Sequence, residues 1–114
     1  MADNERVICA SAALAEKGTG IRFDLPELGE SVTGFVVRYN GTPYAFVNQC
    51  AHVPIELDWN EGEFFDLTRQ YLICATHGAH YLPDTGYCVM GPCRGKSLMR
   101  IPVTERDNQI LIHF

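Results

Sequence analysis

Four residues that can bind a metal ion occur in two short segments of the chain. Cys50 and His52 frame the sequence C-A-H, Cys74 and His77 frame C-A-T-H, and 21 residues separate the two segments. Thiolate and imidazole groups bind zinc, iron and iron–sulfur centres. Zinc sites with two knuckles usually place like ligands on each knuckle, whereas both segments here are mixed. This arrangement suits a dinuclear cluster, in which one iron takes both cysteines and the other takes both histidines.

The segments that must position these residues are predicted to be mainly β-structure. Thr33–Tyr39 is rich in β-branched and aromatic residues, Asn40 and Gly41 suit the positive-φ positions of a tight hairpin, and residues 43–48 form the returning strand. A second hairpin is predicted from residues 98–104 and 109–114. Further short strands are expected at residues 6–10, 21–24 and 71–74. The one helix signal covers residues 10–17 and ends at Gly18.

Between the two hairpins lies a long stretch, residues 49–96, that is dense in Gly, Pro, Cys and His. A stretch of that length with little periodicity is difficult to order by packing alone. Both ligand segments fall within it, so a bound metal centre is expected to organise it.

The two ligand segments resemble the signature of the Rieske [2Fe–2S] family, C-x-H followed by C-x-x-H. The resemblance continues through H-G-A-H-Y at residues 77–81, the turn D-T-G at 84–86, the proline loop at Gly91-Pro92 and the closing strand at 98–102. The hairpin of residues 33–48 corresponds to the family's N-terminal strands. Two departures leave the subfamily open. The spacing between the motifs is a few residues longer than usual, with residues 56–66 as the insertion, and Ala75 stands where a proline often follows the second cysteine.

This resemblance implies an all-β fold, a Rieske-type antiparallel β-sandwich or barrel formed by residues 1–114 as a single domain. A small inserted cluster-binding subdomain would cover residues 49–96, on a basal β subdomain of residues 1–48 and 97–114. The resemblance also implies one [2Fe–2S] cluster per chain. Its cofactor-binding and metal-binding residues would be Cys50, His52, Cys74 and His77, with the imidazole edges at an exposed tip.

The resemblance further implies a one-electron carrier, a small soluble Rieske-type ferredoxin. High-potential members carry a disulfide between the ligand loops, but the matching positions here lie near Ile55 and at Thr76, which are not cysteines. We therefore expect a reduction potential at the low end of the family range of about −150 to +300 mV. Once His52 and His77 are used, only His80 and His113 remain, so the mononuclear iron site of an oxygenase is not expected.

The expected partners are redox proteins, a reductase as donor and an oxygenase or another redox enzyme as acceptor. The chain is predicted to transfer electrons, alone or as a subunit of an oxidoreductase system, rather than to catalyse a reaction. Two other hypotheses remain open: a non-catalytic redox-sensing or structural iron–sulfur module, and a mononuclear zinc site with the same four ligands. Metal and acid-labile sulfide analysis would separate the zinc site from the cluster.

Composition excludes several other functions. The chain has 114 residues, 46% of them hydrophobic, and a net charge of −5. Its acidic balance argues against binding to duplex nucleic acid. No apolar run reaches the ~18 residues that a membrane helix needs. Five cysteines cannot all pair in disulfides within one chain. The apolar run 7–15 is preceded by acidic residues, whereas a secretory signal carries positive charge there. A reducing, cytoplasmic location is therefore expected.

The remaining chemically distinctive residues are expected to be structural. Cys88 and Cys93 are interpreted as buried thiols in the loop that covers the cluster, with a redox-sensitive pair as the alternative. Cys9 and Tyr81 are expected in the core, with contact to a cluster ligand as the alternative for Tyr81. His80 is expected on the surface, with a role as a third nitrogen ligand as the alternative. The acidic residues of the segment 56–66 are interpreted as a solvated loop, with a docking patch for a basic partner as the alternative.

Overall fold

The computed structural model describes residues 5–51, 55–58, 60–75 and 78–113. Ten strands lie in these residues: β1 (Glu5–Ala10), β2 (Ile21–Asp24), β3 (Thr33–Tyr39), β4 (Thr42–Val47), β5 (Leu72–Ile73), β6 (His80–Tyr81), β7 (Cys88–Met90), β8 (Arg100–Ile101), β9 (Val103–Arg106) and β10 (Gln109–His113). Helical structure in the described residues consists of two 3₁₀ turns, Ser11–Ala13 and Pro26–Leu28. No helix among the described residues is long and apolar enough to cross a membrane.

The strands form three antiparallel sheets. Their orders are β1-β10-β9, β2-β3-β4-β8 and β5-β6-β7. The predicted all-β fold with antiparallel sheets is therefore confirmed. The third sheet lies entirely within the stretch that carries the ligand segments, and the other two are built from the residues before and after it.

Both predicted hairpins are present because their turn residues adopt the required backbone. Asn40 and Gly41 have φ values of 52° and 81° between β3 and β4, and Asp107 and Asn108 have φ values of 52° and 60° between β9 and β10. Positive φ at both central positions is the geometry whose twist matches that of the flanking strands.

Two segments differ in extent from their sequence-based predictions. Residues 10–17 contain one 3₁₀ turn rather than a longer helix, because the guanidinium of Arg38 donates to the carbonyl oxygens of Ser11 (3.2 Å) and Leu14 (2.9 Å). The strand predicted at 98–104 is divided at Pro102, which lacks an N–H to donate to a sheet. Its two halves, β8 and β9, pair in different sheets.

Two groups of buried side chains form the core. The group under β3 and β4 on the ligand side includes Phe35, Phe46, Phe64 and Tyr81, together with four of the five cysteines. Phe35 and Phe64 stack with their ring centroids 3.9 Å apart. The second group joins the first two sheets through aliphatic residues such as Val36 and Ile110. The cysteines thus lie in the core that connects the ligand-bearing stretch to the rest of the domain.

Candidate metal centre

Cys50 and Cys74 each begin a loop that is closed by the same kind of backbone hydrogen bond. The N–H of Cys50 donates to the carbonyl oxygen of Ile55 (2.7 Å), and the N–H of Cys74 donates to that of Ala79 (2.9 Å). In both loops the acceptor lies five residues after the cysteine. The same kind of backbone hydrogen bond thus joins each cysteine to the residue five positions after it.

The two loops lie side by side. The N–H of Ala75 in the second loop donates to the carbonyl oxygen of Leu57, which directly follows the first loop region, at 3.0 Å. The second loop is also closed from within, because the N–H of Gly78 donates to the carbonyl oxygen of Cys74 at 2.8 Å. Gly78 has a φ of 71°, a conformation that favours glycine. The backbone of the second loop is therefore bonded directly to the residues that follow the first loop.

Both cysteines are buried, with 4% of Cys50 and 0% of Cys74 exposed. They belong to the same apolar cluster, next to Leu57, Ala79 and Tyr81. The two histidines of the predicted ligand set, His52 and His77, lie outside the described residues. The side of the candidate centre that carries the cysteines is thus shielded from water.

The hydroxyl of Tyr81 reaches both the first loop and a further cysteine. It lies 3.3 Å from the Sγ atom of Cys50 and 3.1 Å from that of Cys93, and it accepts a hydrogen bond from the N–H of Ala51 at 3.0 Å. Burial, followed by the contacts with Cys50 and Cys93, raises the pKa of Tyr81 above its ordinary value. The hydroxyl therefore remains protonated and can donate a hydrogen bond to sulfur.

A network of buried hydrogen bonds fixes the chain on either side of the first loop. The side chain of Asn48 accepts a hydrogen bond from the N–H of Leu57 (2.9 Å) and donates one to Oδ1 of Asp58 (3.0 Å). The other carboxylate oxygen of Asp58 accepts the N–H of Gly62 (2.9 Å) and lies 3.6 Å from Nε of Arg22. The network holds the chain on both sides of Cys50's loop, since Asn48 precedes it and Leu57 follows it.

The interpretation of segment 56–66 as a solvated acidic loop is wrong for part of its length. The carboxylate of Asp58 is fully buried, and Leu57, Phe64 and Phe65 belong to the core. Arg22 on β2 pairs with Glu56 and lies 3.7 Å from Glu61. The basic partner of these carboxylates lies on a strand more than thirty positions earlier in the chain, so the segment's own sequence does not indicate it.

A family model described as the Rieske [2Fe–2S] domain matches residues 4–105 of the chain. The chain belongs to the Rieske [2Fe–2S] domain family. No curated protein sequence matches it.

Several solved structures have a similar fold, and three of them come from carbazole 1,9a-dioxygenase systems. A chain in the complex of reduced oxygenase and oxidised ferredoxin in carbazole 1,9a-dioxygenase has a TM-score of 0.78 at 20% identity, with 98% of this chain and 94% of that chain covered. The ferredoxin of carbazole 1,9a-dioxygenase from Nocardioides aromaticivorans IC177 has a TM-score of 0.74 at 22% identity, covering 95% of each chain. The terminal oxygenase of carbazole 1,9a-dioxygenase from Novosphingobium sp. KA1 has a TM-score of 0.76 at 20% identity, covering 96% of this chain and 29% of that chain.

The cofactor of a Rieske domain is one [2Fe–2S] cluster, and the residues of this chain fit it. Two buried cysteines begin loops of matching closure that are joined by the Ala75–Leu57 hydrogen bond. Each loop also carries a histidine in its sequence, so the chain offers two thiols and two imidazoles, the ligand types that a Rieske cluster uses.

The Rieske domain covers its second loop with the turn that contains the proline motif. A Cβ atom added at Gly91 would lie 2.7 Å from Cα of Ala79, so the turn packs directly on the backbone of the loop. Cys88 and Cys93 flank this turn and are both buried, as their structural interpretation predicted. Their sulfur atoms lie 2.9 Å apart.

His80 and Cys9 are both only partly buried. His80 is half-buried rather than fully exposed: its Nδ1 is 2.8 Å from the carbonyl oxygen of Gly78, and its Nε2 is 3.6 Å from Asp66. Cys9 is half-buried on β1, where it packs at the margin of the second core group. Tyr81 combines both of its proposed roles, since it is a core aromatic residue whose hydroxyl touches a candidate ligand.

Proposed function

We propose that the chain is a one-electron carrier whose [2Fe–2S] cluster is bound by Cys50 and Cys74 at one iron and by His52 and His77 at the other. The observation that carries this proposal is the pair of loops that begin at Cys50 and Cys74. Each loop is closed by the same type of backbone hydrogen bond, and the bond from Ala75 to Leu57 connects the two. The buried thiols of the two cysteines support it, because a thiolate in an apolar pocket is stabilised when it binds iron.

The residues around the loops bind and shield the cluster rather than transform a substrate. When bound, a cluster of this type supplies a site that accepts and releases one electron. The apolar cluster around Leu57 and Ala79 excludes water from the cysteine side. Tyr81 keeps its proton and directs a hydrogen-bond donor to Cys50. Such groups set the potential of an iron–sulfur centre, since hydrogen bonds to sulfur favour the more negative, reduced form.

We infer that the electron acceptor is an oxygenase and that the donor is a reductase. The structural neighbours support this inference, because they include a ferredoxin of an oxygenase system and a complex of oxygenase and ferredoxin. A surface groove of about 430 Å³ lies beside the second ligand loop and is lined by residues that include Ala75, Phe65, His80 and the fully exposed Leu67. This groove would contact the acceptor close to the cluster. The cytoplasmic location stays a prediction.

The expected potential lies at the low end of the Rieske range of about −150 to +300 mV. The positions that match the inter-loop disulfide of high-potential members are near Ile55 and at Thr76, and neither is a cysteine. The hydrogen bond that Tyr81 donates to Cys50 raises the reduction potential. The shift caused by one hydrogen bond is small compared with the width of that range.

The test is metal analysis and EPR spectroscopy of the purified protein. We expect two irons and two acid-labile sulfides per chain, and a dithionite-reduced signal with an average g below the free-electron value. Cys50→Ser and Cys74→Ser should abolish it, whereas Cys9→Ser, a thiol on β1 outside both loops, should leave it unchanged. One zinc per chain, or no EPR signal from the reduced protein, would overturn the proposal.

Kinetics distinguish a carrier from a redox-sensing or structural module. A carrier must be reduced by a reductase and reoxidised by an oxygenase within the turnover time of the oxygenase. A small amount of the carrier must therefore support many turnovers of the oxygenase. Reduction and reoxidation that are slower than oxygenase turnover would favour the sensing or structural module.

A further inference from the structure

The thiols of Cys88 and Cys93 form a close pair beside the cluster loops. Their Sγ atoms are 2.9 Å apart, and both residues are buried. The intervening turn folds Cys93 back onto Cys88, because the N–H of Cys88 donates to the carbonyl oxygen of Lys96 (2.8 Å) and the N–H of Gly95 donates to that of Cys88 (3.2 Å). A small movement of the side chains would bring the two sulfurs to bonding distance, which is about 2.05 Å.

This pair is connected to a candidate iron ligand through a single hydroxyl group. The oxygen of Tyr81 lies 3.1 Å from Sγ of Cys93 and 3.3 Å from Sγ of Cys50. The S–H of Cys88 donates to the carbonyl oxygen of Met90 at 3.2 Å, so the S–H of Cys93 is the proton available to Tyr81 and to the sulfur of Cys88. The electron carrier does not require this second sulfur pair for binding its cluster.

We propose that Cys88 and Cys93 are a reversible dithiol–disulfide pair, and that Tyr81 transmits the state of the pair to the cluster. The formation of the disulfide is independent of the proposed function. The effect on the cluster rests on it, because it requires Cys50 to be an iron ligand.

The oxidant for this step is a small peroxide, hydrogen peroxide in the simplest case. One sulfur attacks the peroxide, so that an S–O bond forms, the O–O bond breaks and one water leaves. The other sulfur then attacks the sulfenic acid, so that the S–S bond forms, the S–O bond breaks and a second water leaves. The two sulfurs lose two electrons to the peroxide, and the two thiol protons end in the two water molecules.

The surroundings of the pair select for a small oxidant and a slow reaction. The turn itself is exposed at Gly91, Pro92 and Arg94, whereas 0% of Cys88 and 1% of Cys93 is exposed. Burial, together with the contact to Cys93, raises the pKa of Cys88 to about 11, which keeps its thiol protonated at neutral pH. Since the thiolate is the reactive species, brief exposure to oxidant leaves the dithiol intact and sustained exposure closes the disulfide.

Closure of the disulfide alters the hydrogen bonds of Tyr81. In the dithiol form the oxygen of Tyr81 can accept from both Ala51 and Cys93 while its proton is donated to Cys50. Oxidation removes the proton of Cys93, so the hydroxyl group is less polarised and becomes a weaker donor to Cys50. Since that hydrogen bond favours the reduced cluster, the midpoint potential falls when the disulfide forms.

The first experiment measures the disulfide directly in the holoprotein. Cys9→Ser removes the half-buried thiol of β1, and the variant is treated with hydrogen peroxide until its visible spectrum begins to change. Acid unfolding in alkylating reagent and peptide mass spectrometry should then show an unlabelled, crosslinked pair at Cys88 and Cys93, which dithiothreitol reverses. Two labelled thiols at these positions, or loss of the cluster absorbance before any crosslink forms, would overturn the proposal.

The second experiment measures the midpoint potential before and after oxidation. In the Cys9→Ser protein the potential should shift downwards and return after reduction with dithiothreitol. The same treatment of Cys88→Ser or Cys93→Ser should give no crosslink and no shift. In Tyr81→Phe the crosslink should form without a shift. A crosslink that leaves the potential of the Cys9→Ser protein unchanged would refute transmission through Tyr81, whereas absent iron in the untreated protein would refute the proposed function instead.

Discussion

The hydroxyl of Tyr81 lies 3.3 Å from the sulfur of Cys50, although the two residues are on different elements. Tyr81 ends the short strand β6, and Cys50 follows β4 and begins the first ligand loop. The ring is fully buried, so its position is set by packing against the same core group that contains both cysteines. The phenol is therefore a fixed donor to the candidate ligand rather than a mobile one.

Tyr81→Phe should lower the midpoint potential of the cluster. The substitution removes the hydrogen-bond donor to Cys50 while it keeps the ring in the core. A hydrogen bond is worth about 1 kcal/mol, and because a tenfold change in a one-electron equilibrium corresponds to about 59 mV, the potential should fall by roughly 40 mV. Electrochemical titration monitored by EPR measures the shift.

Tyr39→Phe is the matched control for this substitution. Its hydroxyl is 3.4 Å from Oε1 of Gln70 on the surface and contacts no sulfur atom among the described residues. We expect its potential to equal that of the wild type. Equal potentials for Tyr81→Phe and Tyr39→Phe would show that the hydroxyl of Tyr81 does not donate to a cluster ligand.

The parts of the fold that depend on local sequence were predictable. The residues Asn40-Gly41 and Asp107-Asn108 specify their turns through their own backbone preferences, and both hairpins are present. The ligand segments were recognisable because metal chemistry restricts residue type and spacing. Belonging to the Rieske family, predicted from those segments, is confirmed by the match over residues 4–105.

The parts that depend on distant residues were not predictable. The carbonyl oxygens of Ser11 and Leu14 accept hydrogen bonds from Arg38, which no local helix propensity can reveal. The buried role of Asp58 depends on Asn48 and Arg22, which lie ten and thirty-six positions before it. A buried acid within a run of exposed acids has the same local pattern as its neighbours, so only the tertiary contacts distinguish it.

Asp58→Ala should destabilise the first ligand loop. The buried Nδ2 group of Asn48 and the N–H of Gly62 would lose their acceptors, at a cost of about 1–3 kcal/mol each. We expect the cluster absorbance to decay several-fold faster in moderate urea. Glu63→Ala removes the same charge from an exposed position in the same segment and should leave the decay rate unchanged. Equal decay rates for the two variants would contradict the supporting role of Asp58.

Glu105→Gln should reduce stability in a pH-dependent way. Arg38 on β3 donates two hydrogen bonds to Glu105 on β9, at 3.0 and 2.8 Å, and thereby connects two sheets. These bonds hold the pKa of Glu105 below its ordinary value of 4.5. A lowered carboxylate pKa contributes stability above pH 4.5, and this contribution disappears as the pH falls through the folded-state value. At pH 7 the loss should be about 1 kcal/mol.

The measurement is thermal unfolding of both proteins between pH 7 and pH 4. A loss of about 1 kcal/mol corresponds to roughly 5 °C for a domain of this size. The difference in Tm between the wild type and Glu105→Gln should narrow towards pH 4. Glu30→Gln, the same change at an exposed carboxylate, should show no difference at any pH. A difference that widens on acidification would contradict the assigned sign.

Leu67→Glu should weaken electron transfer to the acceptor without altering the potential. Leu67 is fully exposed at the groove beside the second ligand loop, so a carboxylate there would be desolvated by an apolar partner surface. We expect at least a tenfold rise in the KM of the oxygenase for the reduced carrier. Leu28→Glu, at an exposed leucine of a groove that shares no lining residue with the first, should have no effect. Equal KM values for both variants would place the docking face elsewhere.

Gly91→Ala and Gly95→Ala separate steric crowding from backbone strain in the turn that covers the second loop. Both glycines have positive φ, 103° and 93°, so both substitutions strain the backbone by about 1–3 kcal/mol. An added Cβ meets nothing within 4 Å at Gly95, but at Gly91 it would lie 2.7 Å from Cα of Ala79.

The turn at Gly91→Ala must therefore lift away from the loop that begins at Cys74, whereas the turn at Gly95→Ala can keep its position. We expect both variants to have a lower Tm than the wild type and Gly91→Ala alone to lose its cluster faster to an iron chelator. The visible absorbance of the oxidised protein follows that loss. Equal rates of iron loss would show that the contact between the turn and Ala79 does not protect the cluster, because backbone strain is common to both variants.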